Sequence, residues 1–329
     1  MKSDCRSAST VDALAAVAVA GAASAQVTLY GKIDLGYGSA TEKNGAGVTT
    51  NKTTGMQSGF QSGSRWGLKG SEDLGGGLTA SFNYEFGTIG ANDGTNGGNP
   101  ARRSVLELAG GFGKVGLGRD YNPTFDLIGA SDPTGVDASS TQDMLAGVRD
   151  SNMLKYTSPS FGGFTAKLGL VAQRTGAEAN KTSVTDLSGV YSAGPLMVGL
   201  AYRVDKITTA ATGAIPARED TTKMTTLGAA YDFGVAKVYF NHVRGKVDGS
   251  NVTDKETNLG VSAPMGAVTL LAAVGRDSST GVKSATDYTL GADYSLSKRT
   301  NAYARVYKNG EVNNAGKTNG FAMGIRHSF

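Results

Sequence analysis

The feature that most constrains this chain is an alternation of period two. In Leu78-Thr79-Ala80-Ser81-Phe82-Asn83-Tyr84-Glu85-Phe86 the apolar and polar residues occupy alternate positions throughout. Successive side chains of a strand point to opposite faces, so the segment has one apolar and one polar face. The pattern recurs. Leu29, Ile33 and Leu35 alternate with Tyr30, Lys32 and Asp34, and Leu200, Tyr202 and Val204 alternate with Arg203 and Asp205. Tyr288, Leu290 and Tyr294 alternate with Asp287, Thr289 and Asp293, and Phe321, Met323 and Ile325 with Ala322, Gly324 and Arg326. In order, the segments read as about sixteen strands. They lie near 27–37, 64–72, 78–87, 102–110, 114–120, 150–157, 164–173, 182–192, 196–205, 223–232, 235–245, 255–263, 267–276, 285–295, 300–310 and 319–329. Short connections such as Gly111-Phe112-Gly113 alternate with long ones at 38–63, 88–101, 121–148 and 206–222.

An even strand number, strands near ten residues, and short turns at one end with long loops at the other describe an all-β, 16-stranded antiparallel transmembrane β-barrel. A sheet that spans lipid must close, because an open edge leaves backbone donors and acceptors unsatisfied there. One face then meets hydrocarbon and the other meets water. That accounts for a hydrophobic share of only 39% in 329 residues, since no solid core has to be filled. Tyr84, Phe86, Tyr202, Tyr231, Phe233, Tyr288 and Tyr294 suit the aromatic girdles of such a wall. Soluble sandwiches, propellers and β-helices also alternate. The chain shows no fixed-period repeat, which weighs against propeller and solenoid, and a sandwich gives no reason for an alternating strand to end at Phe329.

Composition excludes other classes. One cysteine cannot pair within the chain, and two histidines make a metal site improbable. A net charge of +4 makes no demand for nucleic acid. His242 and His327 fall on separate strands, and neither a nucleophile elbow nor a phosphate loop is present. No enzyme activity, cofactor or metal is expected. Residues 13–23 form an apolar run followed by Ala23-Ser24-Ala25, the small-x-small pattern of a secretory signal peptide. The run is shorter than the roughly 20 residues of a membrane-spanning helix. Residues 1–25 are therefore read as a signal peptide cleaved near Ala25, carrying Cys5 away, and 26–329 as the barrel.

Several motifs resemble those of Gram-negative general porins, most nearly the trimeric porins of betaproteobacteria. They are Val27-Thr28-Leu29-Tyr30-Gly31-Lys32, Ser64-Arg65-Trp66-Gly67-Leu68-Lys69-Gly70-Ser71-Glu72-Asp73-Leu74-Gly75, the stretch from Arg102 to Gly113, Gly118-Arg119-Asp120-Tyr121-Asn122, Arg149-Asp150-Ser151-Asn152 and the closing Gly324-Ile325-Arg326-His327-Ser328-Phe329. The resemblance covers the mature chain. It implies an outer-membrane homotrimer, passage of small hydrophilic solutes and ions, a third external loop folded into the lumen, and a terminal Phe329 read by the barrel assembly machinery. Residues 88–101 occupy the position of the loop that latches onto a neighbouring subunit in that family.

The resemblance also assigns a pore constriction. Lys32, Arg65, Arg102 and Arg149 match its basic wall, and period two puts Lys32 and Arg65 on the water-facing side. Arg102 and Arg103 adjoin, so a one-residue slip decides which of them faces the lumen. The opposing acids are expected from the inward loop, where Asp126, Asp132, Asp137 and Asp143 are the candidates. The Pro-Glu-Phe-Gly-Gly segment of many relatives is absent from 121–148. A basic wall in a narrow aqueous passage concentrates anions. Three functions fit: a passive general porin with mild anion preference, a channel specific for a small anionic solute, or a structural barrel whose external loops do the work.

Overall fold

A computed structural model describes residues 26–87, 101–142, 147–175, 180–211, 216–310 and 316–329. The expected leader, residues 1–25, and nearly all of 88–101 lie outside the described residues. The strands are β1 (Thr28–Asn44), β2 (Thr49–Ser58), β3 (Arg65–Gly75), β4 (Leu78–Phe86), β5 (Ala101–Gly110), β6 (Gly113–Tyr121), β7 (Arg149–Thr157), β8 (Phe164–Thr175) and β9 (Asn180–Ala193). They continue as β10 (Leu196–Thr209), β11 (Arg218–Asp232), β12 (Lys237–Val247), β13 (Thr253–Met265), β14 (Val268–Ser279), β15 (Ala285–Ser295), β16 (Thr300–Gly310) and β17 (Gly316–Ser328). One helix, α1 (Pro123–Ala130), lies between β6 and β7.

Sequential strands pair antiparallel, and β17 returns to β1 from Lys32↔Ser328 to Asn44↔Gly316, which closes the wall. The closure is completed by Phe329, whose backbone exchanges hydrogen bonds of 3.0 and 3.1 Å with Gly31. The 17 strands make sixteen staves, because β2 and β3 share the second one. Leu35 to Lys43 of β1 pair with β2, and Thr28 to Lys32 pair with β3. Residues 59–64 leave the ladder between them. Every strand expected from the alternation is present, and the 16-stranded antiparallel barrel is the observed fold.

The connections differ from expectation. The expected loops 38–63 and 206–222 are mostly strand: β1 and β2 form a hairpin closed at 45–48, and β10 and β11 reach Thr209 and Arg218. Beyond the membrane both faces of a strand are wet, so the apolar contrast that marks a spanning strand is lost. The β-branched content of Thr49-Thr50-Asn51-Lys52-Thr53-Thr54 still favours an extended chain.

The two faces sort as period two requires. Leu106, Leu117, Leu200, Leu290 and Val306 are exposed on the outside, as are Tyr84, Tyr202, Tyr231, Phe233, Tyr288 and Tyr294. The inner face is polar and buried, with Asp186, Asn241, Glu256, Thr289 and Arg305 among its residues. What buries them is the segment after β6. Thr124 bonds to Asp186 of β9, the carbonyl of Ser131 accepts from Asn241 of β12, that of Ser139 accepts from Thr289 of β15, and Asp137 pairs with Arg305 of β16. Strands so far apart around a closed wall share only its lumen, so residues 122–142 run inside the barrel.

Local chemistry shapes this segment. Asn122 caps α1 by accepting from the Phe125 amide at 2.7 Å, Pro123 follows in the first turn, and Ser131 ends the helix by donating to the Leu127 carbonyl at 2.8 Å. The wall receives the segment on glycine. A Cβ on Gly199 would lie 2.6 Å from Leu127 Cδ1, on Gly228 2.8 Å from the same atom, and on Gly275 2.7 Å from the Thr141 carbonyl. At Gly260 a Cβ would overlap the Pro133 ring. These few glycines thus serve close approach between wall and inner segment.

This predicts that Gly260→Val displaces the inner segment and leaves the barrel intact. Overpacking of that kind costs about 1–3 kcal/mol. In detergent, the variant is expected to keep its β-sheet circular dichroism while protease cuts within 122–142 faster than in the wild type.

Candidate functional site

Three of the expected basic residues converge. Arg65, Arg102 and Arg149 line one open cavity of about 310 Å³ together with Phe60, Tyr121 and Asp137. One side is wall, from β3, β5, β6 and β7. The other side is made by two inward pieces, residues 59–63 and residues 135–138.

Arg65 and Arg102 share one carboxylate, Glu85 of β4. Arg102 Nε donates to Glu85 Oε1 at 2.8 Å, Arg65 Nε lies 3.5 Å from Oε2, and the Tyr30 hydroxyl donates to Oε2 at 3.0 Å. Arg65 also donates to the Gly63 carbonyl and the Ser62 hydroxyl, both at 3.1 Å. The inward orientation of Arg102 has a specific cause. Glu85 pairs with Arg103 while Phe86 pairs with Ala101, so Arg102 is the extra residue of a β-bulge. A bulge re-aims a side chain that strict alternation would send outward. Both arginines therefore serve the lumen, and Arg103 donates to Asp120 at 2.6 Å.

Arg149 is held differently. Its guanidinium sits 4.4 Å from the Tyr121 ring centroid and donates to the Tyr121 hydroxyl at 2.9 Å. Tyr121 is itself stacked on Phe125 of α1, at 5.2 Å between centroids. Lys32 stands directly across the ladder from Arg65. Among the described residues neither Lys32 nor Arg149 forms an ion pair.

The acids of the inward segment take separate places. Asp126, on α1, pairs with Lys155 at 2.9 Å and Lys167 at 2.7 Å. Asp132 is buried in its own turn, accepting from the Thr134 amide at 2.7 Å and the Ser140 hydroxyl at 3.0 Å. Asp137 borders the arginine cavity and is also pinned to the far wall, where Arg305 Nε lies 3.1 Å away and Arg305 reaches Asp293 at 2.9 Å. Burial pushes the Asp137 carboxyl up, against the downward pull of Arg305 and of the Ser139 hydroxyl and amide. Asp143 lies outside the described residues. Beside the N-terminal turn of α1, Arg203 binds Asp150 at 2.6 Å, Asp205 at 2.9 Å and Asp186 at 3.3 Å. Asp186 in turn accepts from the Thr124 hydroxyl at 2.7 Å.

Strand pattern alone did not single out Glu85, Arg103, Asp120, Tyr121, Lys155 or Arg203. Glu85 was visible as a water-facing residue of its strand, but its partners depend on how three strands are registered against one another.

Arg305 is almost wholly buried, as is Asp137, and removing one partner of such a pair costs about 3–5 kcal/mol. Arg305→Ala is therefore expected to loosen residues 131–142 within an intact barrel. Hydrogen exchange of the folded protein checks this: amides of that segment should exchange faster while the wall strands keep their protection.

A family model described as Gram-negative porin matches residues 12–314. Outer membrane porin protein 32 of Delftia acidovorans is 34% identical over 96% of this chain and 98% of its own length. An outer membrane porin protein of Bordetella pertussis is 29% identical over 96% of this chain and 97% of its own. Among solved structures, the anion-selective porin from Comamonas acidovorans superposes with a TM-score of 0.78 at 29% identity, covering 93% of this chain and all (100%) of that one. With a closed sixteen-stave wall, an apolar exterior and a charged, partly filled lumen, this chain belongs to the Gram-negative porins of the outer membrane.

Proposed function

We propose that this porin is a passive diffusion channel for small hydrophilic solutes and ions with a mild preference for anions, and that Lys32, Arg65, Arg102 and Arg149 form the basic side of its constriction. The observation that carries this is the charge balance around the cavity. Arg65, Arg102 and Arg149 line it and Lys32 stands across the ladder from Arg65. Arg65 and Arg102 share the carboxylate Glu85, Asp137 is taken up by Arg305, and Lys32 and Arg149 have no acid partner among the described residues. A positive field is left over for a passing anion. One unit charge at 4 Å is worth about 1 kcal/mol in water and more in a confined space, enough for a several-fold change in local anion concentration. Of the inward-segment acids, Asp137 is the one that borders this cavity. Its carboxylate is engaged by Arg305, as those of Asp126 and Asp132 are by their own partners, so the basic side is left in excess. The name of the Comamonas relative agrees in sign.

In a planar bilayer under a salt gradient, the wild type should give a reversal potential of anion-preferring sign. Arg65→Ala and Arg149→Ala should each move it towards zero, and the preference should shrink from 0.1 M to 1 M salt as the screening length falls from about 10 Å to about 3 Å. A cation-preferring wild type would overturn the selectivity, and absence of conductance would overturn the channel. Conductance that saturates or is blocked by one small anionic solute would instead favour a substrate-specific channel.

The assembly reading is part of the same proposal. Residues 1–25 direct export, Phe329 marks the terminal strand for the barrel assembly machinery, and three copies associate in the outer membrane. The pairing of Phe329 with Gly31 supports the second point, because the last residue completes the seam. On gels of unheated sample the wild type is expected to run as an oligomer that boiling dissociates. Phe329→Ala should lower the amount of this heat-sensitive form recovered from outer membranes.

A further inference from the structure

The second stave is interrupted at 59–64, and this break is built rather than loose. Gly59 turns the chain at φ +76°, where a Cβ would come 2.9 Å from Gly63 Cα. Its amide donates to the Asp34 carbonyl at 2.8 Å, and the Ser62 amide donates to the Asp34 carboxylate at 2.6 Å. Gln61 crosses to the opposite side of the seam, donating to Asp293 of β15 at 2.8 Å and accepting from Asn301 of β16 at 2.9 Å. The six residues thus bridge the inner face of β1 and β17 and are tied down on both sides.

Phe60 stands at the centre of this bridge. Its ring is buried, stacked on Tyr303 at 6.2 Å and tilted against Tyr307 at 5.7 Å, both on β16. Its carbonyl accepts from the Ala138 amide at 3.0 Å, which is the point where the bridge meets the long inward segment. Beyond that junction the lumen is filled: α1 lies on Gly199 and Gly228, Pro133 on Gly260 and Thr141 on Gly275. On the near side of it is the cavity lined by Arg65, Arg102 and Arg149. The aperture is therefore bounded by a ring of wall, inward segment and bridge, and the ring is joined at Phe60 and Ala138.

We propose that Phe60 is the keystone of this ring and sets the size limit of the pore, separately from the arginines that set its charge preference. The inference rests on the channel reading above. Phe60 carries no charge, so its effect is on the area of the aperture: with the ring unpacked from Tyr303 and Tyr307, the bridge and residues 135–138 part and the opening widens. Arg102 keeps Glu85 and Arg149 keeps Tyr121, because neither partner belongs to the bridge; Arg65 keeps Glu85 but gives up the Gly63 carbonyl and Ser62 hydroxyl when the bridge moves.

The test uses the full-length porin with two variants. Phe60→Ala removes the ring. Ala138→Pro removes the amide donor from the inner segment and touches no strand of the wall. Folding of each is checked by the heat-dependent shift on gels. Liposome swelling with a series of uncharged sugars reads the size limit, and planar bilayers read conductance and reversal potential. Both variants are expected to admit sugars larger than the wild type admits. Each should raise single-channel conductance by about 1.5-fold or more, because pore radius governs conduction, with a reversal potential that keeps the wild-type sign. A conducting wild type whose folded variants keep the same size limit would overturn the keystone role and leave the channel standing. So would variants that move the reversal potential without moving the size limit. A wild type that does not conduct would overturn the channel reading itself.

Discussion

A backbone N–H or C=O that faces hydrocarbon must find its partner within the protein. The rest of the molecule follows from that requirement. It forces the sheet to close, and closure of sixteen staves leaves a lumen too wide to be filled by wall side chains alone. The chain resolves this by spending its longest described connection on the interior. Residues 122–142 turn inward, satisfy their polar groups against Asp186, Asn241, Thr289 and Arg305, and leave part of the cross-section open. Interior and exterior thus exchange the roles they have in a soluble protein, with buried charge inside and exposed leucine outside.

Charge in the lumen divides into two populations. Arg203 and Arg305 are buried and matched with carboxylates: Arg305 holds Asp137 of the inner segment, and Arg203 holds Asp186, which in turn accepts from Thr124 of α1. Arg65, Arg102 and Arg149 border open space and are short of carboxylates, held in place by a shared Glu85, by the carbonyl and hydroxyl of the bridge, and by the face of Tyr121. Identical side chains therefore serve different ends. The difference lies in whether an acid was placed beside each, not in its position along a strand.

The staves and their faces were legible in the sequence because period two is imposed afresh on every spanning strand. Lys32 and Arg65 were placed on the inner face for that reason. Arg102 shows where the rule stops: counting in steps of two cannot register the extra residue of a bulge. The hairpin at 35–58 carries no such period-two contrast, because its polar and threonine-rich arms are wet on both sides. The helix α1 is only eight residues long and carries no pattern that distinguishes it from a loop. Its turn is what aims Asp126 at Lys155 and Lys167. The sharing of Glu85 by two arginines is a property of three adjacent strands, and no single strand contains it.

The glycines under the inner segment have one more consequence. The number of staves fixes the cross-section of the barrel, so the area available to solutes is a remainder: the whole, less what the inner segment occupies. Bare wall at Gly199, Gly228, Gly260 and Gly275 lets that segment lie as far back as backbone contact permits. Any side chain added there thickens the far lining, and the thickness is subtracted from the opening on the other side. Permeability in this porin is thus written partly into positions that no solute touches, and a single methyl group across the lumen from the arginines acts on the aperture as a wedge.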